Sequence, residues 1–199
     1  MREHYFTQKP KSKLKLGMVK TWLRGSEFKF FTASGTFSPK RIDNGTLLLI
    51  DEMVLPEEGT ILDLGCGYGP VGIAAARLRP RAIIYMTDVN SRAIGLANDN
   101  ARTNNVKNVR ILEGSLYEPV SRLLFDVILT NPPIAAGIGK VVAPMIRSAS
   151  GYLKEGGSLQ LVVRSSKGGE NICGILEESF RQWEVLARRG GYRVLKAEC

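Results

Sequence analysis

From Thr60 onward, short apolar runs alternate with segments whose apolar residues recur every three or four positions. The runs Thr60 to Leu64, Ala82 to Thr87, Val109 to Leu112, Phe125 to Thr130 and Ser158 to Arg164 read as strands. The segments Val71 to Leu78, Ser91 to Thr103, Lys140 to Leu153 and Asn171 to Phe180 read as helices between or after them. Strands that alternate with helices imply a parallel sheet covered on both faces. The cores of three strands, ILDL, AIIYMT and DVILT, are nearly all apolar, as doubly covered strands should be. Two last strands, Trp183 to Arg189 and Tyr192 to Ala197, meet across Gly190-Gly191 and predict an antiparallel edge hairpin. The expected fold is therefore α/β: a mostly parallel seven-stranded sheet, helices on both faces, and that hairpin at one edge. Such a sheet binds ligands at the carboxyl ends of its strands.

Ahead of this regular part the pattern is shorter. Lys13 to Trp22 alternates loosely and Glu27 to Thr32 is aromatic, so both read as strand-like pieces. Ser34-Gly35, Ser38-Pro39 and Asn44-Gly45 punctuate the region as turns. Leu47, Leu48, Ile50, Met53 and Val54 then form an apolar stripe on a helix, with Asp43 or Asn44 as N-cap, stopped by Pro56 to Gly59. This divides the chain into a basic strand-and-loop extension, residues 1–45, packing on a main domain, residues 46–199.

Composition narrows the chemistry. The 199 residues, 44% of them apolar, suffice for one well-filled core, or at most one core plus a small appendage. The greasiest stretch, Val127 to Gly139, is broken by Asn131, Pro132, Pro133 and two glycines, where roughly 20 apolar residues are needed to span a bilayer. Neither a membrane helix nor a secretory leader is expected. His4 is the one histidine, so no Ser-His-Asp triad, Cys-His pair or multi-histidine zinc site can be built within one chain. Cys66, Cys173 and Cys199 are far apart and form no C-x-x-C, which argues against a disulfide framework or a structural metal and for a reducing cytoplasm. The net charge of +9 is uneven, with +6 of it in residues 1–30. That segment is either a solvated tail or a handle for a polyanion.

The densest motif is Ile61-Leu62-Asp63-Leu64-Gly65-Cys66-Gly67-Tyr68-Gly69-Pro70-Val71-Gly72. A strand runs through a glycine-rich turn into a helix, and glycine lets a ligand approach the main chain. Gly67 to Gly72 formally fits the dinucleotide fingerprint G-x-G-x-x-G, with Asp88 at the spacing of its ribose-binding acid. Asp63 argues against that ligand, because a carboxylate just before the glycines would repel a pyrophosphate. It suits a ligand that presents a cation there, such as S-adenosylmethionine (SAM). Asp88 ends the second strand of this series, where two acceptor oxygens can take both ribose hydroxyls of an adenosine, with Val89 packing on the adenine.

A second motif, Thr130-Asn131-Pro132-Pro133-Ile134, ends the fourth strand of the series. A nucleobase or carboxamide NH2 is a poor nucleophile because its lone pair is delocalised. The Asn131 side-chain oxygen and the Pro132 backbone carbonyl can accept its two N–H bonds, and neither is protonated near neutral pH. Two fixed carbonyl dipoles then stabilise the positive charge that grows on nitrogen during alkylation. No histidine or cysteine is needed.

These motifs resemble motif I and motif IV of the class I SAM-dependent methyltransferases, which implies a Rossmann-like fold. Gly35-Thr36-Phe37-Ser38, Arg41 to Leu49, LDLGCGYGPVG, NPPI and the terminal GGYRVLK are together similar to the "methyltransferase small domain" family. Within it they are similar to the 16S ribosomal RNA guanine-N2 methyltransferases, in the short form of archaeal-type homologues. The resemblance implies SAM as cofactor, held by Asp63, Gly65, Cys66, Gly67, Gly69, Asp88, Val89, Asn90, Ser115, Leu116 and Asn131. It makes Asn131 and Pro132 catalytic and puts Phe37, Arg41, Pro133 and Ile134 against the substrate. Ser115 stands where the family usually offers an acid to the adenine amine. Ile134 stands where an aromatic usually stacks on the flipped base, a task for which Phe37 is the candidate. Arg41 and Lys40 either meet phosphate or are solvated, and the Lys167-Gly168-Gly169 loop has no assignable role. The implied partner is RNA, in the form of ribosomal RNA or a small-subunit particle, with no metal and no membrane. The competing expectations are an adenine-N6 or protein glutamine-N5 methyltransferase using the same Asn-Pro-Pro turn, a noncatalytic RNA-binding relative, and an NAD-dependent oxidoreductase.

Overall fold

The computed structural model describes residues 7, 8, 10, 13–166 and 168–199. Lys167 and part of the basic N-terminal run therefore lie outside the described residues. The chain folds in the order β1 (Leu16–Leu23), β2 (Ser26–Ala33), α1 (Asn44–Glu52), β3 (Glu58–Leu64), α2 (Pro70–Leu78), β4 (Arg81–Asp88), α3 (Ser91–Thr103) and β5 (Val109–Glu113). It continues with β6 (Phe125–Thr130), α4 (Ala143–Ala149), β7 (Leu153–Arg164), α5 (Gly169–Ser179), β8 (Gln182–Arg189) and β9 (Tyr192–Glu198).

Strands β3 to β9 form one seven-stranded sheet in the order β5-β4-β3-β6-β7-β9-β8. The pairs among β3 to β7 are parallel, and β9 enters antiparallel between β7 and β8. The Gly190-Gly191 turn has φ +59° and +79°, the doubly left-handed backbone that a tight hairpin needs. This is the mostly parallel α/β sheet with an edge hairpin expected from the alternating pattern, in the Rossmann-like form that the resemblance implies.

The sheet separates two apolar layers. Ile61, Ile84, Met86 and Leu129 face one layer with α1, α2 and α3. Leu62, Leu64, Ile128 and Leu161 face the other with α4 and α5. The period-2 alternation of strand side chains distributes neighbouring residues to opposite layers. Asp63 lies between Leu62 and Leu64 and so falls on the α2 side, although it is a carboxylate only 2% exposed.

The expected single helix over Lys140 to Leu153 is a correction. A wide turn over Ile138–Val142 leads into the short α4, a 3-10 turn covers Ser150–Tyr152, and Leu153 already belongs to β7. Pro144 sits in the first turn of α4, where its missing N–H costs nothing. Leu153 pairs instead with Phe125 of β6, a partner set by tertiary packing and not by local pattern.

β1 and β2 form a separate hairpin whose inner face (Leu23, Phe28, Phe30) is buried in the core layer of α1, α2 and α3, with β2 lying against α3 and β1 touching α1. The free edge of β2 is closed by side chains of α3. Phe31 N–H donates to Asn100 Oδ1 (2.6 Å) and Lys29 N–H to Asn104 Oδ1 (3.0 Å), while the two amide groups donate back to the Phe31 and Lys29 carbonyls (2.9 and 2.8 Å). Two asparagines one helical turn apart thus act as a missing strand. Asn100 also donates to the Tyr68 carbonyl (2.8 Å), tying the hairpin to the turn after β3.

Candidate functional site

At the carboxyl ends of β3, β4 and β6 the structure holds a cavity of about 330 Å3. Its walls include Phe37, Asp63, Gly65, Cys66, Gly67, Asp88, Val89, Ser115, Leu116, Asn131 and Pro133. The sequence had selected all of these. Gly69, Asn90, Arg41, Pro132 and Ile134, also selected, do not line it.

The turn after β3 owes its shape to glycine. Gly65 and Gly67 have φ +75° and +58°, a left-handed region costly for residues with a Cβ. The Gly65 and Cys66 N–H groups donate to the Thr87 carbonyl (2.8 and 2.9 Å), which pins the turn to the end of β4. Gly69, with φ +97°, is the N-cap of α2. A Cβ at Gly72 would come within 2.7 Å of Met86 Cγ and 3.0 Å of Asp63 Oδ2. Gly69 and Gly72 therefore serve packing and leave the cavity walls to Gly65 and Gly67.

Two carboxylates face this turn. Asp63 Oδ2 accepts the Gly72 N–H at 2.7 Å, using one of the donors that the first turn of α2 leaves unpaired. Burial pushes its carboxyl up to about 7; the Gly72 hydrogen bond opposes this and the nearby Asp88 charge adds to it. Asp88 Oδ2 accepts from Gly67 N–H and Oδ1 from Asn90 N–H, both at 2.8 Å. Burial raises its pKa too, against the pull of backbone donors. No ion pair with either acid is formed among the described residues. One buried and one half-buried carboxylate, neither with a cation, favour a positively charged ligand and disfavour a phosphate. Burial and the two acids also hold the Cys66 thiol well above its ordinary range, so it is no nucleophile.

Asn90, expected in the cofactor set, does not line the cavity. It is fully buried, accepts the Arg92 and Ala93 N–H groups as N-cap of α3, and donates to the Gly35 carbonyl at 2.9 Å. It ties the Ser34-to-Asp43 loop, and hence Phe37, to the end of β4. Arg41 is exposed and does not line the cavity. Ile134 begins a 3-10 turn packed beside the α4–α5 layer.

Asn131 has a defined orientation. Its Nδ2 donates to Thr46 Oγ1 (2.9 Å) and towards Asp43 Oδ2 (3.4 Å). An ionised carboxylate only accepts, so the amide nitrogen must face Asp43, leaving Oδ1 for the cavity. Asp43 also accepts the Gly45 and Thr46 N–H groups as N-cap of α1. The Pro132 carbonyl already accepts the Ile134 N–H at 2.9 Å, around Pro133 at φ −77° and ψ +75°. One lone pair of that carbonyl remains.

Sequence reasoning missed Thr46, Tyr68, Lys140, Val141 and Met145 on the cavity wall. Thr46 and Tyr68 lie within motifs that were recognised. Lys140 arrives through the wide turn before α4, and no local signal places it there.

A cavity at the strand ends of a Rossmann-like sheet, with a glycine turn, two unpaired acids and an Asn-Pro-Pro turn, defines a class of nucleoside-binding transferases. Residues 27–196 match the family model for the methyltransferase small domain. The chain belongs to that family and is a SAM-dependent methyltransferase. It is 42% identical to the uncharacterized protein YbxB of Bacillus subtilis, over 100% of this chain and 99% of that one. It is 30% identical to ribosomal RNA small subunit methyltransferase C of Hamiltonella defensa, over 94% of this chain and 56% of that protein. Among solved structures it is similar to the 16S rRNA N2 G1207 methyltransferase (RsmC) of T. thermophilus in complex with AdoMet and guanosine. There the TM-score is 0.81 and the identity 27%, covering 95% of this chain and 52% of that one. The chain thus spans the whole of YbxB but about half of the ribosomal RNA methyltransferases it matches. Among the described residues no helix is long and apolar enough to cross a membrane.

Proposed function

We propose that this protein methylates the exocyclic N2 amine of a guanosine in small-subunit ribosomal RNA, in the cytoplasm. The observation that carries the reading is Asn131, whose amide nitrogen is held by Thr46 and Asp43 so that its oxygen serves the cavity. The names of the relatives that act on small-subunit ribosomal RNA support the substrate class.

When bound, S-adenosylmethionine supplies an electrophilic methyl group. Asp63 would hold its ammonium, Asp88 its ribose hydroxyls, and Val89 its adenine face; Ser115 and Leu116 close that end of the cavity. Gly65, Cys66 and Gly67 would offer it the main chain, while Gly69 and Asn90 act from behind by fixing the turn and the loop. The target amine donates one N–H to Asn131 Oδ1 and the other to the free lone pair of the Pro132 carbonyl. With both N–H bonds directed away, the nitrogen lone pair points to the methyl donor. The two carbonyl dipoles stabilise the positive charge that develops on nitrogen, and the proton leaves to water. The base must leave its stack to reach this depth. Phe37 and Pro133 then wall it, Phe37 filling the stacking role that Ile134 does not reach, and Arg41 meets phosphate at the rim.

The test is nucleoside mass mapping of small-subunit ribosomal RNA after incubation with labelled SAM. N2-methylguanosine is expected. Asn131→Ala should add about 2–4 kcal/mol to the barrier, as loss of one fixed transition-state hydrogen bond does, with cofactor affinity changed less. Label on adenine N6, or in protein alone, would overturn the substrate assignment. Unchanged turnover in Asn131→Ala would overturn the role of the turn.

A further inference from the structure

The β1–β2 hairpin carries an unexplained surface. Leu16, Met18, Lys20 and Trp22 pair in register with Ala33, Phe31, Lys29 and Glu27. Directly paired residues of an antiparallel ladder share a face, and here that face points away from the core except at its Ala33 end, which is buried. Leu16 is 70% exposed, Met18 54%, Phe31 39% and Trp22 72%. The opposite face is buried, and the β2 edge is closed by Asn100 and Asn104. The outer face therefore cannot roll onto the core to hide its aromatics. In its middle Lys20 stands directly opposite Lys29, a like-charge pair that costs stability unless an anion lies over it. From Lys13 to Phe30 the chain carries five bases against Glu27 alone.

Exposed aromatics interleaved with lysines on a sheet face are the elements of a single-strand nucleic-acid platform: bases stack on the rings and phosphates meet the cations. We infer that this face is such a platform, taking a single-stranded stretch of the RNA substrate beside the target nucleotide. Phe31 and Trp22 stack bases, and Lys20 and Lys29 bind the phosphates between them. The Ala33 end of the hairpin passes directly into the loop that brings Phe37 to the cavity wall. The platform thus starts where the target base enters, and Trp22 lies about 13 Å further along β1, four residues from Met18. A second copy of the chain is a poorer occupant, because facing platforms would press four lysines into one dry interface, where lysine is depleted.

The inference rests on the RNA reading above, and its test separates the two. Wild type, Trp22→Ala and Lys20→Gln/Lys29→Gln are titrated with a single-stranded RNA oligonucleotide over a range of salt, and with SAM alone. Trp22 is largely exposed, so its truncation leaves the core intact. Trp22→Ala should bind RNA roughly five- to a hundredfold more weakly, the loss of one stacked base. The double lysine variant should lower the slope of log K against log salt by about 1.4, two phosphate contacts on a single strand. Affinity for SAM should not change in either. In a Trp183→Phe background Trp22 is the remaining tryptophan, and RNA should quench its fluorescence. If wild type binds and methylates RNA while both variants match it in affinity and salt slope, the platform is wrong and the RNA reading stands. If wild type neither binds nor methylates RNA, both fall. A wild-type dimer in sedimentation that Trp22→Ala dissociates would assign the face to self-association and overturn the platform.

Discussion

Asp63 makes cofactor binding depend on pH in a direction that follows from its burial. In the ligand-free protein its carboxyl titrates near 7, far above the ordinary 3.8. The ammonium of SAM pairs with the ionised form, so below neutrality a proton must leave before the cofactor can bind. With half of Asp63 ionised at pH 7 and about 1% at pH 5, affinity should fall about fiftyfold between them, approaching tenfold per pH unit. Calorimetric titration at pH 5, 6 and 7, in buffers of different ionisation heat, should show this fall together with proton release at the acid end. Asp63→Asn should bind weakly throughout and lose most of the dependence, the remainder reporting Asp88. The same carboxylate disfavours the ligand-free fold. Because its folded pKa lies above the unfolded value, the folded chain holds an extra proton between about pH 4 and 7. The penalty is absent below that window and complete above it, so Asp63→Asn should stabilise the ligand-free protein at pH 8 by at most about 4 kcal/mol. An affinity constant from pH 5 to 7 with no proton released would refute the assignment of Asp63 to the cofactor ammonium.

Three further outcomes are expected. Asp43→Ala removes both the α1 N-cap and one acceptor that orients Asn131; it should cost about 1 kcal/mol of stability and lower kcat more than it changes cofactor affinity, read by thermal melts and steady-state kinetics. Asn100→Ala strands the Phe31 backbone groups and the Tyr68 carbonyl, and should destabilise the fold by about 2–3 kcal/mol in denaturant titration. Gly72→Ala should destabilise the protein and weaken SAM binding together, since its Cβ would collide with Met86 and crowd Asp63; urea midpoints and cofactor titration check both.

The parts of the site legible in the sequence are those built within one short segment. The glycine turn, Asp88 at the end of β4 and the Asn-Pro-Pro turn all sit at strand ends, where period-2 apolar runs stop at residues with a backbone meaning. Asn90 caps α3 and does not line the cavity, and in one dimension a polar residue just after Asp88 reads the same in either role. Long-range relations left no trace. Thr46 and Asp43 orient Asn131 from 85 and 88 residues away, and Lys140 reaches the cavity wall through a wide turn that reads as helix. Leu153 looked helical for the same reason: its pairing with Phe125 depends on a strand neighbour that a one-dimensional pattern does not reveal.

The amide pair of Asn100 and Asn104 bears on how the protein behaves when crowded. A two-stranded ribbon with aromatic flesh is a template for fibril growth if either rim is bare. One rim is sealed by side chains that no incoming polypeptide can displace without losing four hydrogen bonds. The other rim belongs to β1, where Lys20, with Lys15 just ahead of the strand, acts as a gatekeeper by repelling a like strand. The ribbon can therefore keep its sticky surface on offer to a polyanion and still resist stacking on its own kind.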